Sequence, residues 1–212
     1  MEWLIGCEES GAVRDAMLER GIPAVSCDLD PSRSNRGEHL QMDIFEALAL
    51  RRWRGLIVFP TCTYLTCSAE WAYGDGPYHQ KVKPGTLTGE ARRQAREEAV
   101  DFVLRLWNCG LDKVVIENPV GVLSQHLGKP QTVQPYQFGD DASKRTCLWI
   151  KGLPALKHTG WVEPRMVNGK PRWANQTDSG QNRLSPGENR ARDRSVTYPG
   201  IAAAMADQWG HL

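Results

Sequence analysis

The sequence lacks any long hydrophobic run. No apolar stretch approaches the roughly 18 residues that a membrane-spanning helix needs, which argues against a helical integral membrane protein. Residues 4–7 superficially resemble a lipoprotein cleavage site, but only six residues precede Cys7 and Glu2 is one of them. A basic start and an apolar core do not fit into that length. We therefore expect an intracellular, cytoplasmic protein without a membrane segment.

The six cysteines show neither a close Cys-x-x-Cys pair nor the spacing of a disulfide framework. Most of them lie within apolar, strand-like runs, which is typical of a reduced cytoplasmic protein. Cys62 and Cys67 are close enough in sequence for a metal pair. Because no neighbouring His or Cys completes a set of four ligands, we expect no metal site.

An excess of charge of one sign is also absent. The chain has 26 basic and 25 acidic residues, so its net charge of +1 creates no overall field that would attract nucleic acid. The distribution is uneven, since residues 157–194 contain eight Lys or Arg against four Asp or Glu. A local surplus of this kind suits phosphate groups, although solvated loops are often basic as well.

Strand-like runs alternate with helical patterns along the chain. Strands are predicted at 3–7, 23–27, 40–44, 56–59, 114–116 and 146–150, and helices at 12–20, 90–107 and 201–209. This alternation predicts an α/β fold with a doubly wound, mostly parallel sheet and helices on both faces. The three arginines near the start of the longest helix are expected on a solvated face.

Two of the predicted strands are followed by reactive side chains. Cys62 comes after the run 56–59, and Glu117 comes directly after Ile116. Because the carboxyl ends of parallel strands meet at one edge of a sheet, we expect the thiol and the carboxylate to lie at the same edge. A nucleophile and an acid are the groups needed for covalent attack on a ring. The simpler alternatives are a buried structural cysteine and a glutamate that caps the next segment, and Cys67 is a rival nucleophile.

The turn at 6–11 joins the first strand to the first helix and has a glycine at each end, which lets a ligand approach the backbone. Asp28, about twenty residues later, ends the second strand, where a carboxylate can hold the ribose hydroxyls of a nucleoside cofactor. Asp43 ends the third strand and could face an adenine amino group. Both could instead be caps or turn formers. Glu8 and Glu9 would repel a pyrophosphate, which favours a cofactor without phosphates.

Aromatic and basic residues interleave with amide side chains in the segment 157–194. Arg165, Arg172 and Arg183 are the candidate phosphate contacts, and the tryptophans of the segment could stack on bases. The alternative is a surface loop that two tryptophans hold in place.

Four motifs occur in this chain in the order in which a known family carries them. They are Pro-x-Cys-Thr-Tyr-Leu at 60–65, Glu-Asn-Pro-Val-Gly at 117–121, Lys-x-Thr-Cys-Leu-Trp at 144–149, and Arg-Ser-x-Thr-Tyr-Pro-Gly-Ile-Ala at 194–202. By these motifs the chain resembles the cytosine-5 DNA methyltransferases, and more closely a group of short phage-type DNA methylase-like proteins. The resemblance covers nearly the whole chain. It implies a Rossmann-like class I S-adenosylmethionine-dependent methyltransferase fold.

The resemblance also implies roles at the matching positions. Cys62 would be the nucleophile and Glu117 the acid beside the base. Arg145 would be the first of two basic residues that steady the base, whereas the second position holds Cys147. Asn118, next to the acid, would contact nucleic acid. The residues that the resemblance assigns to the S-adenosylmethionine site are Gly6, Cys7, Glu8, Ser10, Gly11, Asp28, Asp43 and Pro60.

The same resemblance implies a catalytic core at 1–156, a reduced recognition segment at 157–194, and a C-terminal helix within 195–212 that packs on the core. The implied activity is transfer of a methyl group from S-adenosylmethionine to carbon 5 of cytosine in DNA through a covalent cysteine–cytosine intermediate. The alternatives are a dCMP-type pyrimidine nucleotide methyltransferase and a non-catalytic cofactor-binding or DNA-binding subunit of a modification complex. A second copy of the chain or a separate recognition protein is a further candidate partner.

Overall fold

A seven-stranded sheet forms the centre of the protein, in a computed structural model that describes residues 1–184 and 190–212. The strands are β1 (Glu2–Gly6), β2 (Ala24–Asp28), β3 (His39–Gln41), β4 (Trp53–Val58), β5 (Val114–Pro119), β6 (Gln131–Val133) and β7 (Thr146–Lys151). Their order is β3-β2-β1-β4-β5-β7-β6. Neighbours from β3 to β5 are parallel, and β7 is antiparallel to both β5 and β6. The predicted mostly parallel α/β fold is confirmed.

The central strands are buried on both faces, which explains their continuous apolar runs. Leu56, Ile57 and Val58 of β4 are fully buried, as are Leu4 and Ile5 of β1. Helical cover on both faces removes the need for alternating polar residues, because neither face meets water.

The described residues form six α-helices. They are α1 (Ala12–Leu18), α2 (Ile44–Leu50), α3 (Gly89–Trp107), α4 (Ser124–Leu127), α5 (Arg190–Ser195) and α6 (Pro199–Trp209). One hydrophobic core combines residues of α1 and α6 with Trp3 and Ile5, and the other combines residues of α2 and α3 with Leu4 and Leu56. Since Leu4 and Ile5 are adjacent in β1, their side chains point to opposite faces of the sheet. The prediction of helices on both faces is therefore confirmed.

The predicted strand 40–44 is wrong at its carboxyl end. β3 ends at Gln41, and Asp43 is the N-cap of α2, with its carboxylate accepting a 2.8 Å hydrogen bond from the Phe45 backbone N–H. A carboxylate at this position satisfies a helix donor that otherwise has no partner, which explains why the chain turns helical here. The short strand β6 and the helices α2, α4 and α5 were not predicted from the pattern.

The C-terminal helix packs across the start of the chain. The Trp209 indole N–H donates to the Pro154 carbonyl at 3.0 Å, and the Trp3 indole N–H donates to the Gly210 carbonyl at 3.0 Å. Both tryptophans are fully buried. Within 1–184 and 190–212, no helix combines the length and the apolar character that a membrane crossing requires.

Candidate active site

The strand order reverses direction between β1 and β4. From β1 the chain proceeds outward to β2 and β3, and from β4 it proceeds the other way to β5. Loops at such a switch point separate from one another and leave a crevice at the carboxyl ends of the strands. The loops that follow β1 and β4 are hydrogen-bonded to each other where they leave the sheet, since the Phe59 N–H donates to the Gly6 carbonyl at 3.0 Å. The predicted nucleophile and cofactor residues therefore belong to loops that start side by side.

Cys62 is exposed in the first part of the loop that follows β4. The Cys62 carbonyl accepts hydrogen bonds from the backbone N–H groups of Leu65 and Thr66, at 3.1 and 3.2 Å, so the chain turns immediately after the cysteine. Leu65 is buried and anchors this turn. Cys62 is thus exposed on a turn that Leu65 anchors, whereas Cys27 and Cys147 are buried.

The Cys62 turn is bound directly to the segment that carries Glu117. The Asn118 side-chain N–H donates to the Pro60 carbonyl at 2.8 Å, and the Val122 N–H donates to the Leu65 carbonyl at 2.9 Å. A Cβ atom at Gly121 would lie 1.9 Å from the Leu65 carbonyl oxygen, so only glycine permits this approach. Pro60 and Asn118, predicted to contact cofactor and nucleic acid, hold the two strand ends together.

Glu117 lies within β5 itself and is partly buried. Burial raises the pKa of its carboxyl group, while the ammonium group of Lys144 and a hydrogen bond from Thr146 lower it. The balance is upward, which favours the protonated carboxyl. A carboxyl group with a raised pKa is better suited to act as a general acid than an ordinary glutamate.

Arg145 and Cys147 differ sharply in their surroundings. Arg145 is exposed just before β7, whereas Cys147 is 3% exposed in the core that β4, β5 and α3 share. The position that the resemblance gives to a second basic residue is therefore part of the hydrophobic interior. Lys144, which sequence reasoning missed, is the cation whose charge acts on Glu117. The alternation of side chains along β7 was the available signal, since Lys144 lies two positions before Thr146, the first residue of that strand.

The loop between β1 and α1 has its own internal structure. Gly11 is the N-cap of α1 with φ 76°, a left-handed conformation that favours glycine. Ser10 accepts a hydrogen bond from the Ala12 N–H at 3.2 Å and donates to the Glu8 carboxylate at 2.9 Å. Gly11 and Ser10 therefore have structural roles in starting the helix, whatever ligand the loop holds.

Cys7, Asp28 and Asp43 come together at the carboxyl ends of β1, β2 and β3. Burial first, and then the charges of Asp28, Cys27 and Asp43, raise the pKa of the Cys7 thiol to about 12. One oxygen of Asp28 accepts from the Asp30 N–H at 3.0 Å, so this residue also forms a turn. The predicted cofactor residues converge, and both aspartates have the local roles that the simpler interpretation gave them.

Glu8 and Glu9 do not present two free negative charges. Glu8 is 5% exposed, and burial is the main reason that its pKa rises to about 7. Glu9 is ion-paired with Arg192 of α5 and with Arg33, and the hydrogen bond from Arg192 is the main reason that its pKa is lowered. Electrostatic repulsion of a pyrophosphate by this loop is therefore weaker than the sequence suggests.

The three candidate phosphate contacts of the segment 157–194 are all engaged with one loop. Arg165 pairs with Asp178 at 2.6 Å, Arg172 donates to the Asp178 carbonyl at 3.0 Å, and Arg183 donates to the Gln176 carbonyl at 2.8 Å. Arg165 and Arg172 lie on the strands of a hairpin, β8 (Arg165–Val167) and β9 (Lys170–Arg172). Residues 185–189 of this segment lie outside the described part of the chain.

The tryptophans of this segment contact Tyr136. Trp173 stacks on Tyr136 with ring centroids 4.4 Å apart, and Trp161 packs edge-on against the same ring at 5.1 Å. Asn175 accepts a hydrogen bond from the Ser143 N–H at 3.0 Å. Aromatic and amide contacts thus tie the hairpin to the segment before β7, as the loop-pinning alternative expected. Trp161 is nevertheless 58% exposed.

A cleft of about 710 Å³ opens between the end of β5, the segment before β7 and α5. We call it the basic cleft. Its charged lining residues are Lys144, Arg145, Arg183, Asp193 and Arg194. Four cations against one acid give the cleft a positive potential that suits phosphate groups. Pro119, two residues beyond Glu117, is among its lining residues, whereas Cys62 is not.

Arg92 and Arg96 of α3 do not lie on a solvated face, and for these two the expectation is wrong, whereas Arg93 is half-exposed and pairs with Glu90. Arg92 is 6% exposed, and Arg96 donates to the carbonyls of Tyr64 and Thr66 at 2.9 and 3.1 Å. The Arg96 guanidinium also lies 3.5 Å from the ring centroid of Tyr73. These arginines hold residues 64–73, the chain that follows the Cys62 turn.

No cluster of three or more His, Cys, Asp or Glu able to hold a metal ion occurs within the described residues. No protein-family model matches the chain, and no curated protein matches it.

Proposed function

We propose that this protein transfers a methyl group from S-adenosylmethionine to carbon 5 of cytosine in DNA, on a class I methyltransferase fold. The observation that carries the proposal is the junction between the β4 and β5 loops. It holds the exposed Cys62, on the loop after β4, and the Glu117 carboxyl in β5, whose pKa is raised. The Asn118–Pro60 hydrogen bond joins the loop to the strand. A nucleophile and an acid at one sheet edge are the groups that addition to a pyrimidine ring requires.

The residues at the β1–β2–β3 edge fit a nucleoside-bearing donor. Asp28 and Asp43 supply carboxylate oxygens for ribose hydroxyls or an amino group. Glu8 adds an oxygen, Oε2, that is buried without a hydrogen-bond partner among the described residues. S-adenosylmethionine, when bound, supplies an electrophilic methyl group. The carboxylates of Asp28 and Asp43 suit its positive sulfonium better than they suit a chain of phosphates.

Cys62 and Glu117 would act on different atoms of the same cytosine ring. Cytosine carbon 5 is a poor nucleophile until the Cys62 thiolate adds to carbon 6 and the Glu117 carboxyl protonates nitrogen 3. The addition makes carbon 5 an enamine carbon, which is the electron-rich form that accepts an alkyl group. The methyl group would come from the bound donor, whose sulfur would keep the electron pair of the broken bond. Loss of the carbon-5 proton to water, return of the nitrogen-3 proton to the Glu117 carboxylate and departure of the thiolate then restore the aromatic ring and free Cys62.

The basic cleft supports the proposal that the target cytosine is part of a nucleic acid. Its cations Arg145, Arg183 and Arg194 lie next to the end of β5, where phosphates would sit beside the reacting base. A base within a duplex must leave the stack to reach a thiol on a protein loop, which costs a few kcal/mol. Phosphate contacts along the cleft would offset that cost.

A radiolabelled methyl-transfer assay tests the proposal. The donor is presented with duplex DNA, single-stranded DNA or dCMP, and the protein is the wild type, Cys62→Ser or Cys67→Ser. Cys67 is the matched control, because it is also exposed and lies five residues along the same loop. We expect label in DNA with the wild type and with Cys67→Ser, and none with Cys62→Ser.

The outcomes separate the alternatives. Label in dCMP alone identifies a nucleotide methyltransferase, and donor binding without any label identifies a non-catalytic subunit. Loss of label with Cys67→Ser but not with Cys62→Ser transfers the nucleophile role to Cys67. DNA containing 5-fluorocytosine adds a direct readout, since carbon 5 then carries no proton to lose and the adduct is retained. Mass spectrometry should locate that adduct on Cys62.

A further inference from the structure

Glu9 holds two arginines from distant parts of the chain. It lies in the loop 7–11 between β1 and α1, which we call the donor loop. The Arg192 Nε–H donates to both oxygens of the Glu9 carboxylate, at 2.7 and 2.6 Å, and Arg33 Nη2 lies 3.1 Å from Glu9 Oε1. Only 12% of the Glu9 side chain is exposed, and ion pairs that are partly withdrawn from water are screened less than open surface pairs. Glu9 is therefore an attachment point rather than a solvated charge.

Arg33 extends this cluster to the loop that follows β2. Its backbone N–H donates to the Glu9 carbonyl at 2.8 Å. Its guanidinium pairs with Asp193 at 3.3 Å and donates to the Arg192 carbonyl at 3.4 Å. Three segments therefore meet at Glu9: the donor loop, the loop that begins after Asp28, and the helix α5.

Helix α5 also forms one wall of the basic cleft. Asp193 and Arg194 line the cleft, whereas Arg192 does not. Every polar contact that the structure describes between this helix and another element goes to Glu9 or Arg33. The same helix thus faces the candidate DNA site and is held in place by the candidate donor site.

We propose that Glu9 is a positioning residue that couples the two sites: through Arg192 it holds α5 against the donor loop, so that a bound donor strengthens the binding of DNA in the basic cleft. The proposal rests on the proposed function, which makes S-adenosylmethionine and DNA the two ligands. A donor that orders the loop also orders the helix attached to it. DNA that meets an ordered cleft wall then loses less conformational entropy on binding. By linkage, DNA must strengthen donor binding by the same factor.

The test measures this coupling as a ratio of affinities, so it requires no methyl transfer. Fluorescence anisotropy gives the Kd of the whole chain for a labelled, cytosine-containing duplex, with and without saturating S-adenosylhomocysteine, the demethylated donor. The variants are Glu9→Ala, Arg192→Ala and the double variant, with Glu19→Ala as the matched control. The ion pair described for Glu19 is with Arg36, in the loop after β2, rather than with α5.

We expect S-adenosylhomocysteine to lower the wild-type Kd for DNA at least about fivefold, the lower end of the usual range of coupling between sites. This effect should disappear in Glu9→Ala, in Arg192→Ala and in the double variant, and it should persist in Glu19→Ala. The ratio isolates the attachment, because loss of a cation weakens DNA binding alike with and without the donor product. Coupling that persists in Glu9→Ala or Arg192→Ala, or that disappears equally in Glu19→Ala, overturns the proposal. Circular dichroism confirms that each variant is folded.

Hydrogen exchange distinguishes failure of this proposal from failure of the proposed function. S-adenosylhomocysteine alone should slow exchange in residues 190–195 of the wild type but not of Glu9→Ala. If calorimetry shows that it binds the wild type, yet neither the slower exchange nor the tighter DNA binding follows, the coupling is refuted and the proposed function stands. If it does not bind the wild type, the proposed function fails and the coupling fails with it. Coupling in a protein that transfers no methyl group supports this proposal and identifies a non-catalytic subunit.

Discussion

Asn118 and Pro60 are joined by a buried hydrogen bond of 2.8 Å between the asparagine side-chain N–H and the proline carbonyl. Asn118 is 1% exposed and lies one residue after Glu117, while Pro60 lies two residues before Cys62. This single contact therefore links the strand of the candidate acid to the loop of the candidate nucleophile. The sequence separation of 58 residues makes it a tertiary contact that local patterns cannot predict.

Replacing this asparagine should destabilise the fold. Asn118→Ala leaves the Pro60 carbonyl buried without its donor, which costs about 1–3 kcal/mol of unfolding free energy. Urea denaturation measures the loss. Asn108→Ala is the control, because its side chain also donates to a backbone carbonyl, that of Leu104 at 2.9 Å, but at an exposed position. A loss in Asn118→Ala no larger than in Asn108→Ala contradicts a special role for the buried bond.

Glu8 and Glu9 should give opposite pH dependences of stability. The pKa of Glu8 rises from its ordinary value of 4.5 to about 7 on folding, so the folded state holds the proton more tightly than the unfolded chain. The stability that Glu8 provides is complete below pH 4.5 and is lost as the pH rises to about 7. The loss is on the order of 3 kcal/mol, at about 1.4 kcal/mol per unit of pKa.

Urea denaturation of Glu8→Gln across this pH range checks the sign. The variant should gain stability relative to the wild type between pH 4.5 and 7, because an amide has no charge to bury. Glu9→Gln is the adjacent control. Ion pairing lowers the pKa of Glu9, so its contribution is present above pH 4.5 and is lost as the pH falls. Parallel curves for the two variants would refute the assignment of a buried, neutral Glu8.

The arginines of α3 should control the order of the chain after Cys62. Arg96→Ala removes two hydrogen bonds to carbonyls of residues 64 and 66 and the stacking on Tyr73. Hydrogen exchange in residues 62–73 should become at least about tenfold faster, the equivalent of about 1.4 kcal/mol of local stability. Arg105→Ala is the matched control, since Arg105 is on the same helix but stacks on Phe45. Equal hydrogen-exchange rates of residues 62–73 in both variants would contradict the role of Arg96 in holding this segment.

Patterns in the sequence predicted the sheet well because each central strand is a buried apolar run with its own turn. They failed at the end of β3, because residues 42–44 were expected to continue the strand, whereas the Asp43 carboxylate caps α2. Polar residues at strand ends look alike in sequence whether they bind a ligand or a backbone N–H.

The candidate site was predictable in its strand ends but not in its partners. Cys62 and Glu117 follow apolar runs, so their common edge could be inferred from topology alone. The arginines of α3 appeared to belong to a polar face, because their partners, the carbonyls of residues 64 and 66, lie about 30 residues away.

The basic cleft leads to a prediction about salt. Arg145 is exposed and lines the cleft, so Arg145→Gln should weaken DNA binding at all sequences tested and reduce the slope of log K against log salt concentration by about one. Fluorescence anisotropy between 50 and 200 mM salt, about the range over which counterion release is resolved, measures both quantities.

Arg165→Gln is the control, since Arg165 is paired with Asp178 in the hairpin and does not line the cleft. Its removal should leave the salt slope unchanged and affect the hairpin instead. If Arg165→Gln reduces the slope and Arg145→Gln does not, DNA follows the hairpin rather than the cleft, because counterion release counts only the cations that face phosphate.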